Sequence, residues 1–275
     1  MTTRASRRPL FAAVAVVATI AGAGCFLVMH VAMTGVVDPL RQPVSSYALT
    51  APGSMLFALG TLAVAASCAL LARFGVGLQD EGRLRFGLGC VAFLLTLVVA
   101  FRTDASDAVT SASGQIHRFA AGGAFVLLVC LGWMAWRRFA VTDKVAAGVV
   151  GWLTALGFGA LLVTGVNTFL PELVGGGSWR GVPQRVLLTI HIMLVVVLGL
   201  WAGRVGHEAG RSVPARHGSV AATPAESWMR RRYQSVAERP WHGSDVRFTI
   251  RQWLLTLRSS SSVTCTDTVT NSSRR

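Results

Sequence analysis

The chain has 275 residues, of which 52% are hydrophobic and only 14% are charged, and its mean hydropathy is +0.54. A soluble domain usually has about a quarter charged residues, so this composition excludes an ordinary soluble protein and indicates a membrane protein. The formal charge is +14, and Lys144 is the single lysine. Basic loops and tails that contact anionic lipid account for such a charge. We therefore predict membrane lipids as partners and no binding of nucleic acid.

Six apolar runs are long enough to cross a bilayer, which takes roughly 17–25 residues per helix. The backbone of a membrane span must satisfy its own hydrogen bonds, so we read all six runs as helices. The fold class predicted is all-α, an integral membrane six-helix bundle over residues 10–205. The predicted helices cover residues 10–34, 54–74, 84–101, 117–136, 145–169 and 185–205. The first run continues past Cys25, too far for a signal-peptide core, so we expect it to be retained.

The basic residues predict the orientation, because cytoplasmic loops collect arginine and lysine. The side of the N-terminus holds Arg4, Arg7, Arg8, Arg73, Arg83, Arg85, Arg137, Arg138, Lys144 and Arg204. The opposite side holds Arg41, Arg102, Arg118, Arg180 and Arg185. The excess on the first side predicts a multi-pass protein of the cell (plasma) membrane with both termini in the cytoplasm. The preference for arginine over lysine favours a bacterial source.

The composition changes after Val205. Residues 206–275 are basic, and residues 206–243 are rich in Arg, Ser, Pro and Gly, a composition typical of disorder. We predict a largely disordered cytoplasmic tail over residues 206–275. Within it, residues 245–258 have the pattern of an amphipathic helix that lies on anionic lipid, although an unstructured tail explains the same stretch.

The fifth helix has small residues at every fourth position. Ala147, Gly151, Ala155 and Gly159 line one of its faces. Small side chains allow helices to approach closely in a membrane, so we expect another helix to pack on this face.

The five cysteines show no CxxC spacing. Cys25, Cys68, Cys90 and Cys130 lie within apolar runs, and Cys265 lies in the tail. Free cysteine commonly behaves as a small buried hydrophobic residue, so we predict a structural role and no disulfide framework.

Polar residues collect in the loops predicted to lie outside. The first of these loops holds Asp38, Arg41 and Tyr47, and its two prolines predict an extended, stiff segment. The second, between the third and fourth helices, holds Arg102 and Asp104 in a chain that has little charge elsewhere. Any chemistry of this protein is therefore expected at this face.

Three histidines, His30, His117 and His191, fall on the same side of the membrane. Ionisable groups within membrane segments are costly, face the bundle interior or a cavity, and mark function by default. Asp104 and His117 bracket one loop, so a short path can bring them together. We predict that one outward-facing pocket collects the ligand-binding residues Asp38, Arg41, Tyr47, Arg102, Asp104, His117 and His191.

Two other interpretations of these residues stay open. The charged residues, with Asp107, can form ion pairs that only hold the outer loops together, while His30 and His191 bond to a backbone carbonyl or to a threonine on a neighbouring helix. Alternatively His30 and His191 ligate a haem, although no histidine lies near the inner face for a second site. No zinc-binding spacing such as HExxH or CxxC is present. We therefore predict no metal site and no cofactor.

Two motifs in the outer loops resemble a known family. They are Asp38-Pro39 with Ser45-Ser46-Tyr47-Ala48-Leu49, and Phe101-Arg102-Thr103-Asp104 with Gly114-Gln115-Ile116-His117. In these motifs, and in having about six spans over residues 10–205, the chain resembles the uncharacterised membrane family called domain of unknown function 998. The resemblance implies the fold and the topology, but no mechanism, because the biochemical role of the family is unknown.

The chain departs from the family pattern at three positions. Arg102 stands where the family usually has proline, and Ser46 stands where it often has an acidic residue. Gln184 precedes Arg185 where the family often has glutamate. The two missing carboxylates argue against an acid-rich metal or catalytic site in this chain.

Three functional hypotheses follow. The first is a non-enzymatic membrane protein that binds a lipid headgroup or a small solute in the outward-facing pocket. The second is a membrane-embedded hydrolase or transferase that acts on lipid, with Asp104 and His117 as the acid and base. The third is a transporter; against it stands the lack of a proline-broken span or an inverted repeat.

Overall fold

The computed structural model describes residues 3–77, 81–105, 111–174 and 179–211. The predicted disorder of the tail beyond residue 211, the predicted amphipathic helix at 245–258 and Asp107 lie outside the described residues.

Six long helices make up most of the described chain. They are α1 (Thr3–Ala32), α2 (Ala51–Phe74), α3 (Glu81–Ala100), α4 (Ala112–Thr142), α5 (Lys144–Phe169) and α6 (Gly181–Arg211). Short 3-10 helices cover Val44–Leu49 and Pro171–Val174, and the described residues contain no strand. All six long helices are long and apolar enough to cross a membrane. The predicted all-α, six-helix membrane fold is therefore confirmed.

The six helices form a closed ring. Each helix packs against the next one in the chain, and α6 packs back against α1. α6 also contacts α2 and α4, so it reaches across the ring. We call the end that carries the connections after α1, α3 and α5 the loop end. The opposite end, where the chain starts, is the N-terminal end.

Apolar side chains fill the ring in two clusters. Leu131, Phe139 and Leu198 are buried in the cluster nearer the N-terminal end. The cluster at the loop end contains Phe26, Met29, Met33, Val37, Val44, Tyr47, Phe57, Val98 and Ala120. Many large apolar side chains instead face outward, as in Val31 and Trp152, which are 70% and 72% exposed. Such an outward apolar surface is what a helix bundle presents to lipid.

The burial expected of the cysteines holds fully only for Cys68, since Cys25 and Cys90 are half-buried and Cys130 is exposed. Cys25, Cys68, Cys90 and Cys130 are free thiols, and Cys68 is fully buried in the core. Cys265 lies outside the described residues.

α1 and α2 approach each other through glycine. A Cβ atom at Gly22 would lie 2.7 Å from the backbone oxygen of Gly60, and one at Gly60 would lie 3.1 Å from the backbone oxygen of Gly22. Small residues permit such backbone contact between membrane helices. This contact fixes α1 in the ring, two turns before His30.

The small-residue face of α5 packs against α4 along half of its length. Ala147 is buried, and a Cβ atom at Gly151 would lie 2.8 Å from the indole ring of Trp136 on α4. Ala155 is exposed, and nothing lies within 4 Å of a Cβ atom at Gly159. The predicted close packing is thus confirmed for the half of the face nearer the N-terminal end.

Candidate functional site

The first turn of α6 binds the loop between α1 and α2. The amide of Gly181 donates to the carbonyl of Leu40 at 2.9 Å, and the amide of Val44 donates to Oε1 of Gln184 at 2.8 Å. Residue 181 must be glycine, because a Cβ atom there would clash with the carbonyl oxygen of Pro39. A segment far away in sequence therefore determines the shape of this loop.

The loop is folded rather than extended, so the prediction from its prolines was wrong. Pro43 has extended dihedral angles, φ −65° and ψ 160°, but it begins the 3-10 helix Val44–Leu49. The prolines restrict only local angles. The overall path follows from hydrogen bonds to α6, which local sequence does not reveal.

Arg185 holds the loop against α1 with several hydrogen bonds. Its Nη1 donates to the carbonyls of Pro39 and Gln42 at 2.8 and 2.7 Å, and its Nε donates to Nε2 of His30 at 2.7 Å. The guanidinium carbon lies 5.9 Å from the ring centre of Tyr47. We call these five residues the Arg185 clamp.

The hydrogen bonds of His30 define its protonation. Its Nδ1 lies 2.6 Å from the carbonyl oxygen of Phe26, and its Nε2 faces the Nε–H of Arg185. A carbonyl only accepts and an arginine only donates, so the proton is on Nδ1 and the ring is neutral. Tyr47, only 1% exposed, packs on this ring with the centroids 5.2 Å apart. Tyr47 therefore belongs to the clamp.

Asp38 and Arg41 lie on the exposed side of the same loop. Nε of Arg41 is 3.7 Å from Oδ2 of Asp38, and the two side chains are 74% and 45% exposed. Oδ1 of Asp38 accepts from the amide of Leu40 at 2.9 Å. Exposed ion pairs contribute little to stability, so this pair mainly shapes the turn.

Asp104 organises the start of α4. Its Oδ2 accepts from the amide of Ser111 at 3.0 Å, and its Oδ1 accepts from the Ser111 hydroxyl. Ser111 in turn caps α4 by accepting from the amide of Gly114 at 2.9 Å. The carboxylate thus lies at the positive end of the helix dipole, where a negative charge is stabilising. The backbone oxygen of Arg102 accepts from Ser113, while the Arg102 side chain is exposed.

Replacing Asp104 by alanine is expected to lower the free energy of unfolding by about 1–2 kcal/mol, the usual cost of losing a helix cap and its charge. Thermal denaturation of the purified protein measures this effect. Glu172→Ala is the control, because it removes an exposed carboxylate outside the six long helices. Equal melting temperatures for the two variants would contradict the capping role.

His117 lies one turn further along α4 and joins it to the end of α3. Its Nδ1 is 2.9 Å from each of the carbonyl oxygens of Val98 and Phe101. Two carbonyl acceptors place a proton on Nδ1, so in the neutral ring Nε2 is left as an acceptor. The side chain is only 5% exposed, and its ring stacks near Phe57.

A cavity of about 70 Å³ opens beside His117, within the loop-end half of the ring. Its walls are mainly apolar, but four polar side chains line it: Ser45, Thr61, His117 and Gln184. Within the described part of the chain, neither the Ser45 nor the Thr61 hydroxyl has a hydrogen-bond partner. A few polar groups set in apolar walls are typical of a small-molecule site.

The ring of Phe125 separates His191 from this cavity. His191 is 3% exposed, and neither of its ring nitrogens has a hydrogen-bond partner among the described residues. Its ring stacks on Phe125, which lines the cavity, with the centroids 5.5 Å apart. Buried polar atoms without partners are rare and call for an explanation.

The structure distributes the predicted site residues over three neighbouring places. Asp38, Arg41 and Tyr47 belong to the loop held by Arg185. Arg102 and Asp104 belong to the start of α4. His117 lines the cavity, and His191 lies behind Phe125.

Several residues of the site were missed by the sequence reasoning. Gln184 and Arg185 lie near the start of α6, and the departure from the family pattern at Gln184 is the signal that points to them. Thr61 lies inside an apolar helix, and Ser45 lies between uncharged neighbours. Ser45 belongs to one of the two motifs that resemble the family, but nothing in the local sequence distinguishes the hydroxyl of Thr61 from an ordinary one.

The described residues do not form a metal centre. Nowhere in the described ranges do three His, Cys, Asp or Glu side chains lie together as a metal site requires. The polar groups at the cavity are instead suited to hydrogen bonding.

Six helices that are long and apolar enough to cross a membrane define a multi-pass integral membrane protein. Residues 13–201 match the family described as protein of unknown function (DUF998), and the chain belongs to that family. No curated protein sequence and no solved structure matches the chain.

Proposed function

We propose that the protein binds a small, uncharged polar group in the cavity beside His117. The group belongs either to the polar end of a membrane lipid or to a small solute. The observation that carries this proposal is the set of polar side chains, Ser45, Thr61, His117 and Gln184, in a buried and mainly apolar cavity.

The hydrogen-bonding groups of the cavity suit a neutral ligand. Nε2 of His117 is an acceptor, and the two hydroxyls both donate and accept. Gln184 uses its Oε1 for Val44, which leaves its amide nitrogen as a donor. No charged side chain lines the cavity as described, so an ion would lose its hydration without gaining a partner.

The size of the cavity limits the ligand. A volume of about 70 Å³ clearly exceeds the ~10–15 Å³ that one water molecule needs. It admits a group of a few heavy atoms, such as a hydroxyl or an amide with its neighbouring carbons. A lipid would therefore insert only part of its polar end.

The contacts favour binding over the lipid hydrolase considered as the alternative. Asp104 is bonded to Ser111, and Nδ1 of His117 is bonded to two carbonyls. A carboxylate that activates histidine must bond to one of its ring nitrogens. The Nδ1 position is already taken by Val98 and Phe101.

Native mass spectrometry of the protein, extracted gently from its membrane, tests the proposal. We expect an adduct at a constant mass whose identity separates a lipid from a small solute. Ala121→Leu adds bulk to the cavity wall and is expected to remove the adduct. Thr61→Val keeps the shape but removes a hydroxyl, and it should weaken the adduct.

Ala140→Leu is the matched control, because Ala140 is an exposed residue of the same helix. It should retain the adduct. If the folded Ala121→Leu variant keeps every adduct of the unmodified protein, or if the unmodified protein has no adduct, the proposal is overturned.

We further propose that the loop end faces outward from the cell (plasma) membrane and that both termini are cytoplasmic. The support is the excess of arginine and lysine at the N-terminal end. The cavity would then be reached from the outer leaflet.

Cysteine labelling tests this orientation. In a background where the native cysteines are replaced, Glu172→Cys should react with a membrane-impermeant maleimide on intact cells. Val141→Cys, at a position 86% exposed near the end of α4, should react only after permeabilisation. The reverse pattern would contradict the orientation.

A further inference from the structure

A second site lies at the other end of the bundle, on its outer surface. α4 and α5 enclose a groove of about 850 Å³, within the ~300–1,000 Å³ range of ligand pockets. The aromatic walls are formed by Trp133 and Trp136 of α4 and by Trp152 and Phe158 of α5. Trp133, Trp152 and Phe158 are 46%, 72% and 52% exposed, so the groove opens toward the surrounding lipid.

Small residues make the floor of the groove. Gly148 and Gly151 line it, and nothing lies within 4 Å of a Cβ atom at Gly148. The space above Gly148 is therefore free to take a chain of methylene groups.

Two positive charges lie one helical turn beyond residues that line the groove. Arg137 follows Trp133 by four residues on α4, and Lys144 precedes Gly148 by four residues on α5. Residues four apart share a helix face, so both cations continue the groove toward the N-terminal end. Arg137 and Lys144 are exposed. Asp143, between the helices, accepts from the amides of Val145 and Ala146 as the cap of α5.

We infer that this groove binds an anionic glycerophospholipid, with an acyl chain between the tryptophans and the phosphate beside Arg137 and Lys144. Basic pockets between membrane helices recognise anionic headgroups in this way, and tryptophan is favoured at the level of the headgroups. The apolar length and the charged end of the groove match the two parts of such a lipid.

A second copy of the chain fits the groove less well. Two copies side by side in a membrane have the same ends at the same depth, so their Arg137 and Lys144 side chains would face each other. Like charges placed opposite one another disfavour an interface. The positive charge near the groove therefore favours an anionic lipid over a second copy of the chain as its occupant.

The test is native mass spectrometry of delipidated full-length protein titrated with phosphatidylglycerol or phosphatidylcholine. We expect about 30-fold tighter binding of one phosphatidylglycerol, as two cations near a lipid surface provide. Arg137→Gln with Lys144→Gln should abolish the preference, and Gly148→Phe, which fills the groove, should abolish binding of both lipids.

Gly159→Phe is the matched control. Gly159 lies on the same helix and also has free space around its Cβ position, but it does not line the groove. This variant should bind both lipids with the same affinities as the unmodified protein.

Equal affinity for both lipids, or normal binding by Gly148→Phe, would overturn the inference. A dimer that Gly148→Phe dissociates would also overturn it and would assign the groove to a second copy. The cavity variant Ala121→Leu should leave this binding unchanged, which separates the two sites.

Discussion

Replacing Arg185 by lysine is expected to lower the free energy of unfolding by about 3 kcal/mol. Lysine keeps the charge but loses the planar guanidinium that reaches His30 and two loop carbonyls at once. Each hydrogen bond to a charged group contributes about 1.5–3 kcal/mol, and at least one is lost while His30 is left without its donor. Thermal denaturation measures the loss of stability, and hydrogen exchange of residues 38–50 measures the release of the loop.

The control for this variant is Arg41→Lys. Arg41 lies on the same loop, but its side chain is 74% exposed and forms only a long ion pair with Asp38. Its replacement is expected to change stability by less than about 0.5 kcal/mol. If both variants melt at the same temperature, or if the loop amides stay protected in Arg185→Lys, the clamp does not hold the loop.

Replacing Gly22 by valine is the second change with a large expected effect, about 3 kcal/mol or a failure to fold. The new Cβ atom would lie 2.7 Å from the backbone oxygen of Gly60 and 3.1 Å from a methyl group of Val64. A backbone atom cannot move aside as a side chain can, so α1 and α2 would be forced apart. Overpacking of this kind typically costs about 1–3 kcal/mol.

Gly24→Val is the matched control on the same helix. Nothing lies within 4 Å of a Cβ atom at Gly24, and both changes add the same side chain to α1. The yield and melting temperature of the two variants in detergent provide the comparison. Equal behaviour would show that the two glycines do not set the distance between α1 and α2.

The membrane helices were predictable because a span is recognised by its length and hydropathy, which are local properties of the sequence. The residues at which the helices begin and end were less predictable. α4 begins at Ala112 rather than at residue 117, because Ser111 caps it and Asp104 supports the cap. The polar start of this helix has no hydropathy signal, so the apolar run marks only its membrane part.

The site was only partly predictable. The sequence singles out His117 as an ionisable group at the edge of an apolar run, and the structure shows that its side chain is buried. Its partners, Val98 and Phe101, are backbone carbonyls, which every residue has, so sequence does not identify them. The Arg185 clamp joins residues about 150 positions apart, and such pairing depends on how the helices are arranged in the ring.

The most direct test of the proposed function is an experimental structure of the protein extracted in lipid nanodiscs from its own membrane. We expect non-protein density in the cavity within hydrogen-bonding distance of Nε2 of His117 and of Thr61 or Gln184. A cavity filled by the side chains of Phe57, Phe125 and Leu188, with no room for a ligand, would contradict it.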